Sequence, residues 1–211
     1  MKKTKKILAL LLCAVLLVGA SVAGTLAFLT AKAEITNTFT VGQVSFDADS
    51  ALDEAKVDEY GVAVSPAQRV TANTYKLIPG HTYTKDPTIH MGADSEACYL
   101  FVKVENGIAA IEAATVSGGY TNIDGQIKAN GWTLLDGETN IYYKEAAATG
   151  ASGADYPIFG EFKLKDDAVV SGYATKDNAN ANITVTAYAI QKDGLSVKQA
   201  WDALVDAYPT T

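Results

Sequence analysis

Histidine and cysteine are scarce in this chain of 211 residues, which has two of each. A zinc-protease helix carries two histidines four residues apart with a glutamate between them, whereas His81 and His90 stand on either side of a proline. The sequence also lacks the Gly-x-Ser-x-Gly turn of a hydrolase and a glycine-rich phosphate loop behind a strand. We therefore predict no catalytic residue, no cofactor-binding residue and no metal ligand, although weak calcium or zinc binding stays open.

The positions of the two cysteines argue against an internal disulfide in an exported form of the protein. Cys13 lies in an apolar N-terminal run, so removal of that run leaves Cys98 without a partner. Because Cys98 stands in an alternating apolar segment, we predict a buried, inert thiol. The stability of the domain must then come from its apolar core.

Basic residues are outnumbered by acidic ones, and the formal net charge is −7. An acidic surface disfavours nucleic acid and anionic membranes, so we predict no nucleic-acid partner. Carboxylate pairs such as Asp166/Asp167 lack the spacing and the glycine of a calcium loop, which indicates solvated acidic loops.

The N-terminal residues have the pattern of a secretory signal peptide. Lysines precede an uncharged run from Ile7 to Ala31, and Thr25 and Ala27 supply small residues at the −3 and −1 positions of a cleavage site before Phe28. We predict that residues 1–27 form an apolar helical signal peptide and that the protein is secreted to the extracellular matrix or cell surface. The alternative is an uncleaved anchor, since the run is long enough to cross a bilayer; it would be the protein's membrane contact.

Alternation with a period of two dominates the rest of the sequence and predicts strands. The clearest are Cys98–Glu105 and Ile183–Ile190, and Asp136-Gly137 is typical of a hairpin turn. Further predicted strands are Ile35–Val41, Gln43–Ala48, Asn73–Leu77, Thr88–Met91, Trp132–Leu135, Ile141–Lys144 and Ile158–Leu164.

One helix is predicted at about residues 196–207, because Ser196 and Gln199 form a capping box before an apolar stripe that includes Trp201 and Leu204. A second helix is expected over Ile108–Ala114. The acidic stretch Asp49–Gln68 and the small-residue stretch Ala146–Asp155 are expected to be loops. We therefore predict an all-β fold for residues 43–211, a jelly-roll-like antiparallel β-sandwich with a short C-terminal helix.

Several segments resemble TasA/camelysin-type proteins, which Gram-positive bacteria secrete through SipW, a dedicated signal peptidase. The most specific part is the end of the leader together with the Thr-Asn-Thr-Phe-Thr-Val-Gly that follows. The similar segments are Gly24–Thr30, Thr36–Gly42, Leu77–Pro87, Cys98–Asn106 and Thr184–Gln191.

This resemblance implies a jelly-roll subunit of biofilm-matrix fibres, a SipW-type peptidase acting on the leader, and an accessory matrix or anchoring protein as a further partner. In such fibres the N-terminal segment of one subunit adds a strand to the next, so residues 28–42 become the candidate donor segment. Its apolar residues, which we assign to assembly, are Phe28, Leu29, Ile35, Phe39 and Val41.

General physics supports the same interpretation, because an extended terminal segment can add to an open sheet edge, and a contact that does not close gives a filament. Three alternatives stay open. The segment pairs within its own domain or stays disordered, or the protein is a monomeric adhesin-type binding module, or it is a camelysin-like zinc endopeptidase. The last would need His81 or His90 together with Asp86.

Overall fold

The computed structural model describes residues 44–173 and 182–208, and the backbone of residues 30–32. The predicted signal peptide and the predicted strand Ile35–Val41 lie outside these residues. Within them, no helix has the length and apolar character that a membrane crossing needs.

The described part of the chain is mostly antiparallel β-structure with few helices, as predicted. Its strands are β1 (Thr30–Lys32), β2 (Leu52–Ala55), β3 (Arg69–Val70), β4 (Thr82–Thr84), β5 (Thr88–Met91), β6 (Cys98–Asn106), β7 (Thr133–Leu134), β8 (Ile141–Ala146), β9 (Ala154–Pro157), β10 (Glu161–Lys163) and β11 (Ile183–Gln191). The α-helices are α1 (Ile123–Ala129) and α2 (Val197–Ala207), and a 3₁₀ turn covers Gly150–Ser152.

The largest sheet has the strand order β1-β11-β6-β8-β7. At its centre β6 and β11 pair antiparallel along their whole length, from Cys98 opposite Gln191 to Asn106 opposite Ile183. The hairpin predicted at Asp136-Gly137 joins β7 to β8, with the Glu138 N–H donating to the Leu135 carbonyl at 3.0 Å. The two clearest sequence predictions are therefore confirmed as the paired centre of this sheet.

Both faces of this sheet are covered, and each face borders its own apolar cluster. In β6, Leu100 and Val102 lie in the main core, whereas Tyr99 and Phe101 lie in a second cluster. The side chains of a strand alternate between faces, so the alternation seen in the sequence separates the two clusters.

The helix α2 forms the cover of the second cluster. Ser196 caps its start, accepting from the Gln199 N–H while the Gln199 side chain accepts from the Ser196 N–H at 3.0 Å. Trp201 then packs on Phe101 of β6, with ring centroids 5.3 Å apart, and Leu204 is buried beside it. The predicted capping box and apolar stripe are confirmed.

Two smaller sheets complete the fold, with the strand orders β3-β2-β5-β9 and β10-β4. Strand β2 lies inside the stretch Asp49–Gln68, so the prediction of a loop there was wrong. Asp53 and Glu54 are buried in this strand because basic and amide side chains from later in the sequence bind them. The predicted loop Ala146–Asp155 likewise contains the 3₁₀ turn and the start of β9.

The prediction of a strand over Asn73–Leu77 was also wrong. The Asn73 side chain takes over the hydrogen bonds that a strand would make, with Nδ2 donating to the Ala55 carbonyl at 2.8 Å and Oδ1 accepting from the Val57 N–H at 3.0 Å. In residues 44–48, part of another predicted strand, Phe46 makes an isolated bridge to Met91. The predictions for Trp132–Leu135 and Ile158–Leu164 were too long, since β7 and β10 are shorter.

The helix predicted at Ile108–Ala114 is a turn, in which the Ile111 and Glu112 N–H groups both donate to the Ile108 carbonyl at 2.9 Å. A bridge from Glu112 to Leu164 then leads the backbone away from a helical path. The helix of this region is instead α1, capped by the Asn122 side chain.

Candidate functional site

The outer side of β11 is partly open in the large sheet. On its inner side β11 pairs with β6 over all nine of its residues. On its outer side, in the part of the sequence that the structure describes, Tyr188–Ile190 pair with β1 and residues 183–187 have no strand partner. Such an edge presents backbone N–H and C=O groups that an added strand can use.

This edge borders both apolar clusters at once. Ala187 and Ala189 belong to the main core, whereas Tyr188 and Ile190 belong to the cluster under α2. Val185, nearer the start of β11, is half-buried against the main core. Of these five side chains only Val185 keeps apolar surface in water, so a strand added near the start of β11 could bury it, at about 25 cal/mol per Å².

The described part of the predicted donor segment already lies on this edge, within the same molecule. Thr30 pairs with Ile190 and Ala31 with Ala189, and Lys32 pairs with Tyr188. The other residues assigned to assembly, Phe28, Leu29, Ile35, Phe39 and Val41, lie outside the described residues. So do the cleavage-site residues Thr25, Ala27 and Phe28.

His90 lies in β5 between two carboxylates. Its Nε2 is 2.9 Å from Asp53 Oδ1, and its Nδ1 is 2.7 Å from Asp155 Oδ1. Burial lowers the pKa of His90, but the hydrogen bonds and negative charges of both carboxylates outweigh it, and the net pKa is raised. Because the two nitrogens lie on opposite edges of the ring, the carboxylates do not converge on one point.

His81 has a separate environment, with Nε2 2.9 Å from the Tyr60 carbonyl oxygen and its ring edge-on to Tyr83. Asp86, the acid that a zinc site would have shared, contacts Arg69 at 3.0 Å and accepts from the Ala55 N–H at 2.6 Å. Across residues 44–173 and 182–208, no three His, Cys, Asp or Glu side chains are grouped as a metal site requires.

Sequence reasoning missed a buried network of charged side chains around β2. Arg69 contacts Asp53, and Ser50 and His90 also form hydrogen bonds with this carboxylate. Burial alone would raise the pKa of Asp53, but the effect of these three partners is larger, so the net pKa is lowered. Lys85 contacts Glu54. These basic partners are 16 and 31 residues away in the sequence, so no local pattern indicates the pairing.

A cleft of about 750 Å³ lies between the end of β6, the turn at residues 108–114 and α1. The buried carboxylate beside it, Glu112, accepts hydrogen bonds from Asn106 Nδ2 at 2.8 Å, the Tyr120 hydroxyl at 2.8 Å and the Ile123 N–H at 2.7 Å. These bonds hold the start of α1, so Glu112 is occupied within the fold.

Comparison with known proteins finds no matching family model, curated protein or solved structure.

Proposed function

We propose that this protein is a secreted structural subunit that assembles head to tail into extracellular biofilm-matrix fibres. In this proposal the N-terminal segment of one copy adds as a strand to the outer edge of β11 in the next copy. The observation that carries it is β11 itself: a nine-residue strand beside both apolar clusters, with residues 30–32 of the predicted donor segment on its outer side.

The register of β1 supports a specific arrangement of donor and acceptor. A donor strand that continued this register would bring Ile35 opposite Val185, on the same face as the Ala31–Ala189 pair. Main-chain hydrogen bonds would supply affinity, and apolar side chains facing the main core would fix the register. Because each copy has one donor and one acceptor, the contact is head to tail, and it gives a filament where the rotation between copies does not close a ring.

The proposal also covers the removal of the signal peptide and the topology of the folded domain. A SipW-type signal peptidase removes residues 1–27 and exposes Phe28 as the new N-terminus, and an accessory matrix protein is a further partner. For residues 43–211 we propose a jelly-roll sandwich. The five-stranded sheet and the β3-β2-β5-β9 sheet, which both contribute side chains to the main core, support this topology.

Exchange of the donor segment between copies can be tested with single cysteines at paired positions. Ala31 and Ala189 are partners across β1 and β11. We would purify Ala31→Cys and Ala189→Cys as separate proteins that begin at Phe28, unfold and refold them together, and oxidise them mildly. A disulfide-linked heterodimer is expected, because a disulfide between the two proteins requires exchange of the strand.

The matched control pairs Ala31→Cys with Ala109→Cys, which places the second thiol on an exposed turn outside the β1–β11 pair. The control mixture should give far less heterodimer. If both mixtures give the same yield, or if the disulfide forms solely within a doubly substituted protein, β1 pairs in its own domain and the exchange is refuted.

Negative-stain electron microscopy tests the fibre. Protein beginning at Phe28 should form filaments, and protein beginning at Asn37 should stay monomeric because it lacks residues 28–36. Filaments from both would keep the structural role but contradict an N-terminal donor. Monomers from both, across pH and salt, would favour a monomeric surface-binding module.

A further inference from the structure

One buried carboxylate bridges a lysine and an asparagine in the β3-β2-β5-β9 sheet. Glu54 in β2 is 3% exposed, and its Oε2 contacts Lys85 Nζ. Its other oxygen, Oε1, accepts from Asn73 Nδ2 at 2.9 Å. An amine and a carboxamide are therefore held on the two oxygens of the same proton acceptor.

The Asn73 carboxamide is fixed on both sides. Its Oδ1 accepts from the Val57 N–H at 3.0 Å, and its Nδ2 also donates to the Ala55 carbonyl at 2.8 Å. The Val57 N–H polarises the carboxamide carbonyl and can stabilise negative charge that develops on Oδ1. The amide carbon, Cγ, is thereby the electrophile of this group.

The lysine is held as well, and its side chain is largely withdrawn from water. The Lys85 N–H donates to the Gly160 carbonyl at 3.0 Å, and the Lys85 side chain is 12% exposed. Tyr75 lies beside this group and packs edge-on against Tyr83 and Phe162, with ring centroids 5.6 and 5.2 Å away. Burial and the charge of Glu54 raise the pKa of Tyr75.

We propose that Lys85 and Asn73 are joined by an intramolecular isopeptide bond, formed autocatalytically with Glu54 as the base and acid. For two groups withdrawn from water, proton transfer from an ammonium to a paired carboxylate yields two neutral groups and avoids the cost of buried charge. Glu54 first takes a proton from Lys85, which leaves a nucleophilic amine.

The bond-forming step balances without any other reactant. The Lys85 Nζ lone pair attacks Asn73 Cγ, and the negative charge on Oδ1 faces the Val57 N–H. The attacking nitrogen loses a second proton and Nδ2 gains one, both through Glu54, so the Cγ–Nδ2 bond breaks and ammonia leaves. The proton first taken from Lys85 departs with it as ammonium, and Glu54 returns to its ionised form.

Intact mass and peptide mapping of the unsubstituted protein test this directly. The purified protein should be lighter than its sequence mass by one ammonia. A protease digest should contain a branched peptide that joins the segment with Asn73 to the segment with Lys85, and tandem mass spectrometry should locate the bond. This measurement uses the native protein, so it does not depend on whether any variant folds.

Two substitutions assign the roles. Glu54→Gln keeps the shape of the side chain but removes the proton acceptor, and Lys85→Arg keeps the positive charge but removes the nucleophilic amine. Both should restore the full sequence mass, with native folding checked by circular dichroism.

The matched control is the pair Lys56 and Gln68, in which a lysine amine also contacts a side-chain amide oxygen, at 3.0 Å. No carboxylate bonds to this pair among the contacts described, so Lys56→Arg should leave the ammonia loss unchanged. The proposal is overturned by an unmodified mass with Asn73 and Lys85 in separate peptides. Loss of ammonia mapped to other residues, or a cross-link that persists in Glu54→Gln, would overturn it equally.

Discussion

His90 in β5 joins Asp53 of β2 to Asp155 of β9, with Nε2 2.9 Å from the first carboxylate and Nδ1 2.7 Å from the second. Because β5 lies between β2 and β9, one imidazole connects three neighbouring strands. A neutral imidazole has one N–H, whereas the imidazolium has two, so both contacts are satisfied as donated hydrogen bonds in the charged form.

This bridge predicts that the free energy of unfolding falls as the pH rises above the ordinary pKa of histidine. The pKa of His90 is raised in the folded state, so its contribution to the free energy of unfolding is complete below the ordinary histidine pKa of about 6.5. That contribution is lost as the pH rises through the higher folded-state value. Urea unfolding from about pH 6.5 to about pH 8, below the range in which the Cys98 thiol and the buried tyrosines ionise in the unfolded protein, should therefore show a decline that His90→Gln removes.

His81→Gln is the matched control, because His81 Nε2 contacts the Tyr60 backbone carbonyl and, among the described residues, no carboxylate. The decline with pH should persist in this variant. Arg69 also contacts Asp53, and it keeps its charge over this range, so it does not produce the decline. An unchanged slope in His90→Gln would contradict the assignment.

Trp201 should contribute strongly to stability. It packs on Phe101 and edge-on to Tyr188, with centroids 5.3 and 5.9 Å away, and it joins α2 to the large sheet. Trp201→Ala should lower the free energy of unfolding by about 3–5 kcal/mol, because it leaves a cavity in the second cluster. Val169→Ala, at a side chain 72% exposed, should change it by less than about 0.5 kcal/mol. Urea denaturation of both variants tests this.

Cys98 should be unreactive in the folded protein. The residue is fully buried, and burial, partly opposed by Lys192, raises the pKa of its thiol to about 12. The thiolate is the reactive form, so a thiol reagent should modify protein that begins at Phe28 at the rate of its unfolding. An Ala109→Cys variant should instead gain one thiol that reacts at once, since Ala109 is exposed. Rapid loss of both thiols would contradict the prediction.

The cap at Ser196 should be worth about 1 kcal/mol, because its side chain accepts from the Gln199 N–H at the start of α2. Ser196→Ala should lower the thermal midpoint accordingly. Ser196→Asp keeps an oxygen acceptor at the same place and should preserve most of the stability. Equal losses in both variants would mean that the serine acts through another contact.

The parts of the fold that the sequence predicts well are those determined by neighbours along the backbone. In β6 the alternation between Leu100 and Phe101 separates two buried clusters, so the pattern was clear even though both faces are covered. The helix α2 carries its own start signal at Ser196 and Gln199. For both elements, residues close together in the sequence were sufficient to predict the structure.

The elements that were missed depend on distant residues. In their own segment, Asp53 and Glu54 are typical of a solvated loop. They are buried in a strand because Arg69 and Lys85, from later in the sequence, pair with them. The helix α1 did have a local signal, the Asn122 cap with Ile123 and Ile127 one turn apart. Gly125 obscured it, because glycine is a poor helix former; a Cβ at this position would lie 2.5 Å from Thr121 Cγ2, so the Thr121 side chain would have to move to admit one.

The N-terminal donor segment stays a prediction, because the residues assigned to assembly lie outside the described residues. The proposed acceptor, the outer edge of β11, could not be predicted, because the order of strands in the sheet depends on pairings far apart in sequence. The sequence analysis did not identify the group of Glu54, Asn73 and Lys85 either. None of the three is unusual in its own segment, and the fold brings them together from separate segments.

The pairing of Cys98 with Gln191 sets when this protein can fold during synthesis. Both apolar clusters need β11, which supplies Ala187 and Ala189 to one and Tyr188 and Ile190 to the other. A growing polypeptide therefore completes neither cluster until residue 191 has emerged. Contacts over such long separations form slowly, so the closure of the sheet waits for this late strand.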